Sequence, residues 1–445
     1  MHRPYPSSAR KRRLARGVLV LLTAGAMASS RSKADDFQGA THLVPFDEES
    51  TINYSKAKST GPVAKLQERI DRGELKLRYD EKYGYLPAVL DALHVSKETQ
   101  LLVYSKTSFQ RERIAPKTPR SLYYSDDAYI GFIPGSPLLE LTSVDPKLGA
   151  VFYTLDQSQT DKPKFIRTDQ CLECHASAKS MGVPGHLIRS FTVDENGVVD
   201  MNHGTSLITH RTPLAERWGG WYVTGEHGEQ SHRGNLFGKA AFARAEKQTN
   251  YLGNQQDLSK FFDTAPYLEK TSDITALMVF EHEAHMHNFI TRLNYEASIA
   301  LKTYGHLKYL RTITDAFLRY LLFTEEVELT SPIQGSAGFA RTFVARGPRD
   351  KSGRSLRDFD LQTRLFKYPC SFLIYSDAFD QLPKESRELI YQKLFDILTG
   401  KDDRADWQRL SLSNKSAIRE ILAQTKTNLP AYWTAGDAAR TNRPL

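Results

Sequence analysis

The chain has 445 residues, of which 40% are hydrophobic, 11% aromatic and 25% charged, a globular composition. That length exceeds one minimal core and suggests two domains with short appendages. The formal charge is +8. Six positive and no negative charges lie within residues 1–28, so the remainder carries only +2 and the charge does not indicate nucleic-acid binding.

Arg10, Lys11, Arg12, Arg13 and Arg16 precede an apolar run over 17–27, and Ala26-Met27-Ala28 offers a small-x-small cleavage site. This is the layout of a secretory signal peptide over 1–28. The run is shorter than the ~20 residues that span a bilayer. An exported protein, periplasmic or secreted, with no membrane span in the mature chain is therefore expected. Residues 29–60 are polar and small, as in a flexible leader. Pro62 opens a helix over 62–70, and a second short helix fits 86–93. The period then changes. Runs at 101–104, 122–124, 129–133, 138–141 and 151–155 alternate with turn material such as Pro134-Gly135-Ser136-Pro137, which predicts an antiparallel sheet. Further strands fit 188–193 and 220–223, with Asn196-Gly197 as a hairpin signal.

After residue 270 the pattern becomes helical. Ser272 or Asp273 can cap a long helix to about residue 302, and others fit 308–324, 384–399 and 414–426. Residues 335–338 and 402–405 read as loops, and 434–445 as a frayed tail. The fold class expected is α+β: an antiparallel-sheet region over 61–270 followed by a helical region over 271–433.

Cys171-Leu172-Glu173-Cys174-His175 carries the chemistry. C-x-x-C-H is the c-type haem attachment pattern. Two thiols at this spacing reach the two vinyl groups of one porphyrin, and the adjacent imidazole supplies an axial nitrogen to the iron. Composition alone produces this pattern by chance in about 6 of 10,000 such chains. A structural zinc site needs more ligands, and only Cys370 remains. A dithiol redox site needs a strand-to-helix setting that 176–184 does not supply. One covalent haem c is therefore expected on Cys171 and Cys174, with His175 axial to the iron.

The sixth ligand has several candidates. Met181 and His186 follow closely, and Met ligation would favour simple electron transfer. His203, His210, His227 and His232 come next. On the long helix Met278, His282, His285, Phe289 and Leu293 form one stripe, with His287 pointing elsewhere. Each of these histidines is more readily a core residue than a ligand. His282-Glu283-Ala284-His285 is one residue short of H-E-x-x-H, so it makes no zincin, and the helix lacks the Glu-x-x-His pair of di-iron bundles. Trp218-Gly219-Gly220-Trp221 suits either a flat ligand or a packed turn. Arg349, Lys351 and Arg354 mark a basic loop that is solvated or contacts a haem propionate.

Across 129–156, 171–190, 216–234, 281–292 and 354–383, including Tyr368-Pro369-Cys370-Ser371, the chain resembles a group of bacterial exported proteins defined by a single cytochrome c domain and without an established activity. The resemblance covers most of the mature chain and implies haem binding and export. It favours His210, His227, His232, His282 and His287 over His285. With the motif deep in a large chain, a small class I cytochrome c fold is not expected. The functions to weigh are electron transfer with a redox partner protein, a haem-dependent oxidoreductase acting on oxygen, peroxide or another small-molecule substrate, and a haem redox or gas sensor. Size favours an enzyme; a second C-x-x-C-H, needed for a dihaem peroxidase, is absent from the sequence.

Overall fold

The computed structural model describes residues 46–47, 51–247, 253 and 255–433. The signal peptide, most of the leader and the tail lie outside them. Residues Ala34–Leu445 form one compact unit, so the expected sheet region and helical region share it.

Pro62–Asp71 (α1) and Leu86–Ala92 (α2) both begin with Pro in the first turn, where its missing N–H is not needed. The strands follow: β1 (Leu101–Val103), β2 (Arg120–Tyr124), β3 (Ala128–Phe132), β4 (Leu138–Asp145), β5 (Gly149–Asp156) and β6 (Phe165–Arg167). With β9 (Trp221–Tyr222) they form an antiparallel sheet ordered β6-β5-β4-β3-β2-β1-β9. A separate ribbon pairs β7 (Arg189–Phe191) with β8 (Thr205–Leu207). The Asn196-Gly197 turn is present, closed by a bridge between Val193 and Val199. The α+β class with an antiparallel sheet is thus observed, and it is not a small class I fold.

One sheet face, with Ile130, Phe132, Leu139, Leu141, Val151 and Leu155, buries Val63, Leu66 and Ile70 of α1 and Leu86 and Val89 of α2. The opposite face meets a 31-residue helix, Ile274–Tyr304, which begins at an Asp273 cap and ends at Gly305 in the left-handed region. Between α2 and this helix, here α5, lie two short ones: α3 (Leu172–His175) and α4 (Lys239–Lys247). After it come α6 (Arg311–Leu321), α7 (Ala337–Ala345), α8 (Asp377–Asp380), α9 (Lys384–Thr399) and α10 (Leu412–Thr425). Gly338, expected in a loop, lies inside α7 behind a Ser336 cap.

The single-stripe expectation for α5 is corrected. From Ile274 to Tyr295 every residue except His285 is buried, because the helix is enclosed by the sheet on one side and the other helices on the rest. His287 is as enclosed as His282, and His285 is the more open of the three.

Candidate functional site

β6 leads into the motif. Thr168 N–H donates to Phe152 O at 3.0 Å, and the chain then closes one helical turn, with His175 N–H to Cys171 O at 2.9 Å. In such a turn positions i, i+3 and i+4 share a side, so Cys171, Cys174 and His175 are brought together. Both cysteines are free; Cys171 is half-buried and Cys174 exposed. Burial pushes the Cys171 thiol up to about 11, with Glu140 adding to the rise and Arg120 opposing it.

His175 is fixed from behind. Its Nδ1 lies 2.9 Å from Gly185 O. A carbonyl only accepts, so Nδ1 carries the proton and the neutral ring keeps its lone pair on Nε2. Gly185 N–H donates back to His175 O at 2.8 Å, and Ser180 Oγ donates to the same carbonyl at 3.1 Å. The ring packs beside Phe152, with centroids 5.0 Å apart. Burial lowers the affinity of the imidazole for a second proton, and the Gly185 carbonyl pulls the other way.

The loop that holds His175 is itself held by α5. Asn288 Oδ1 accepts from His186 N–H at 2.8 Å, and Asn288 Nδ2 donates to His186 O at 2.7 Å. One turn on, Arg292 Nη1 donates to Met181 O at 2.9 Å. A methyl group on Gly185 would collide with the Asn288 carboxamide. Gly185→Ala is therefore expected to destabilise the protein by roughly 1–3 kcal/mol, measured by urea unfolding; an unchanged midpoint would show that the loop yields freely.

Next to the row that carries Phe152 lies an incompletely covered part of the sheet. Leu122, Gly131, Glu140, Thr154 and Ile166 are cross-strand neighbours in one row and so face the same side. Leu122, Glu140 and Thr154 are partly open, and Ile166 is 58% exposed. The next row, Tyr124, Tyr129, Thr142 and Phe152, carries the contacts to His175 and to His186, whose ring lies 4.3 Å from that of Tyr129. Arg120 pairs with Glu140 at 2.5 Å and lies over Gly131, where a Cβ would displace its guanidinium.

Of the sixth-ligand candidates, Met181 and His186 lie in the loop that holds His175, and His210, His227, His232, His282 and His287 are spread through the core. Met181 has a left-handed backbone and a buried side chain. His210 Nδ1 is 3.0 Å from His282 Nδ1, and His282 Nε2 is 2.8 Å from Ser371 Oγ. His227 and His232 are buried with ring centroids 4.8 Å apart, and His232 Nδ1 accepts from Gly234 N–H at 2.9 Å. His287 Nε2 donates to Asp126 O at 2.6 Å. Among the described residues none of these side chains makes a hydrogen bond or ring contact to His175, and no group of three His, Cys, Asp or Glu is poised to hold a metal ion. Cys370 is fully buried, and burial raises its thiol.

Trp218 and Trp221 pack in the core, their indoles donating to Glu281 Oε2 at 3.1 Å and Arg189 O at 2.9 Å. Gly219 lets this turn pass the Phe191 carbonyl closely. In the basic loop Arg354 pairs with Asp350 and Glu420, and Arg349 with Asp358. Asn288 and Arg292 carry no distinguishing signal in the sequence, because the same helix holds other polar residues such as Glu281, His282, Thr291 and Asn294.

No family model, curated protein or solved structure matches the chain, and among the described residues no helix is long and apolar enough to cross a membrane.

Proposed function

We propose that the protein is an exported, periplasmic or secreted, monohaem c-type cytochrome that transfers electrons to or from a redox partner. The observation that carries this is His175: its Nδ1 proton is committed to Gly185 O, which directs Nε2 as the ligand atom, beside two free thiols one turn apart. A metal-ligating imidazole characteristically spends its other nitrogen on such a carbonyl. The residues thus fit a haem held by thioethers to Cys171 and Cys174. The open row of Leu122, Glu140, Thr154 and Ile166 offers a partly apolar surface beside them. When bound, the haem would supply a one-electron ferric–ferrous couple. The exposure of Cys174 keeps that couple near the surface, as exchange with a protein partner requires.

The test is a pyridine haemochrome assay on protein made with a c-type maturation system. A c-type spectrum in the native protein and its loss in Cys171→Ser/Cys174→Ser are expected; no haem in the native protein overturns the proposal. A second possibility is a haem-dependent oxidoreductase with an open iron position, for which the partly open row beside the motif would leave room. Carbon monoxide or cyanide separates the two: a spectrum they do not alter supports the carrier, and a ligand-induced shift supports the oxidoreductase.

A further inference from the structure

We propose that Asn288 is a positioning residue that tunes the His175 imidazole through the single peptide unit joining Gly185 and His186. The proposal rests on His175 being the axial ligand. The carbonyl of that peptide accepts from His175 Nδ1 at 2.9 Å. Its N–H, carried by His186, donates to Asn288 Oδ1 at 2.8 Å. The path is therefore imidazole N–H to carbonyl, through the conjugated amide, and amide N–H to carboxamide oxygen. Peptide resonance couples the two ends: an acceptor drawing on the N–H increases negative charge on the carbonyl oxygen. That makes the carbonyl a better acceptor for the imidazole proton.

The relay is dry and rigid. Asn288 is 1% exposed and Gly185 is buried. In such low-dielectric surroundings hydrogen bonds in series strengthen one another. The carboxamide is also held in one orientation, because its Nδ2 donates to His186 O at 2.7 Å. Gly185 has no Cβ, which is what lets the carboxamide approach the chain this closely. Other proteins use a carboxylate behind an axial histidine to raise its basicity; here a backbone amide backed by a carboxamide takes that place.

A more basic axial imidazole stabilises the ferric state and lowers the midpoint potential. Asn288→Leu keeps the volume and removes both hydrogen bonds. It is expected to raise the potential, by a tenfold change in the reduced-to-oxidised ratio at fixed applied potential, which is about 59 mV for one electron. Asn288→Asp keeps an acceptor for His186 N–H in either protonation state, and its potential is expected at or below that of the native protein. Both are read by redox titration of the full-length haem-loaded chain, with haem content set by pyridine haemochrome. A loop merely loosened by either substitution would lower haem content or thermal stability without this ordering of potentials. An Asn288→Leu protein with an unshifted potential, or an Asn288→Asp protein whose potential rises as well, overturns the relay. Should Asn288→Leu fail to load haem, Asn288→Asp decides alone: a raised potential overturns it. Absence of haem from the native chain is a separate failure, that of the haem assignment itself.

Discussion

The native protein is expected to be most stable near pH 7 and to unfold steeply as the pH falls through 6.5 towards 4. Seven histidines away from the motif, His186, His210, His227, His232, His282, His285 and His287, are pushed down, chiefly by burial, with His285 at about 3 and His287 at about 4. For a histidine with a lowered native pKa, the stabilisation is present above the unfolded value of about 6.5 and is lost as the pH falls below it. Buried acids act in the opposite sense. Glu281 is raised to about 8, Glu326 to about 7 and Asp273 to about 6, while Glu283 is also raised, all chiefly by burial. They favour the native state while protonated, and that contribution fades as the pH rises through those values. The buried histidines outnumber the buried acids that oppose them, so below pH 6.5 the unfolded chain binds more protons than the native one and stability falls with pH. Because a whole domain is stabilised by only about 5–15 kcal/mol, protonation of several of these histidines should suffice to unfold it. Unfolding monitored by tryptophan fluorescence from pH 8 to 4 checks this. A flat profile down to pH 4.5 would show that the histidines find proton acceptors in the native state.

What the sequence revealed follows from how local each signal was. β1 to β5 were legible because their apolar runs are interrupted by turn residues such as Pro134-Gly135. β6 and β8, three residues each, are held by their neighbours and carry no period of their own. The long helix was legible in its existence, its Asp273 cap and nearly its end, but not in its surroundings. A stripe of Met278, His282 and His285 implies one buried side, whereas tertiary enclosure buries the rest and leaves His285 the more open. The motif at Cys171, Cys174 and His175 was legible because its spacing is itself the chemistry. The support behind it was not. Gly185 stands ten residues from His175 and Asn288 a further 102 beyond His186, and no periodicity connects a loop carbonyl to a helix carboxamide at that separation. The reason for Glu281 was equally hidden, since its partners Arg217 and Trp218 lie more than sixty residues upstream.

That partnership should make removal of Glu281 more damaging than removal of Arg217. Arg217 donates to Glu281 Oε1, to Thr212 O at 2.7 Å and to His210 O at 3.2 Å, and the Trp218 indole satisfies Glu281 Oε2. Both charged side chains are almost entirely enclosed, at 3% and 0% exposure. A guanidinium cannot shed its proton, so Glu281→Ala leaves an unpaired cation in the core, a change that costs roughly 3–5 kcal/mol. Arg217→Met leaves a carboxyl that has an escape. Burial pushes Glu281 up to about 8 even against the pull of Arg217 and Trp218, and losing the arginine removes part of that opposition, so the carboxyl stays neutral at physiological pH. The loss should therefore be smaller for Arg217→Met than for Glu281→Ala, at pH 6.5 as at pH 8. Replacing both partners, as Arg217→Met with Glu281→Leu, should recover most of the stability, because a well-packed apolar pair of similar volume rivals a buried ion pair. Urea midpoints of the three variants at pH 6.5 and 8 read all of this. Equal losses for the two single variants at both pH values would mean that the damage comes from lost packing around Trp218 and not from a stranded charge.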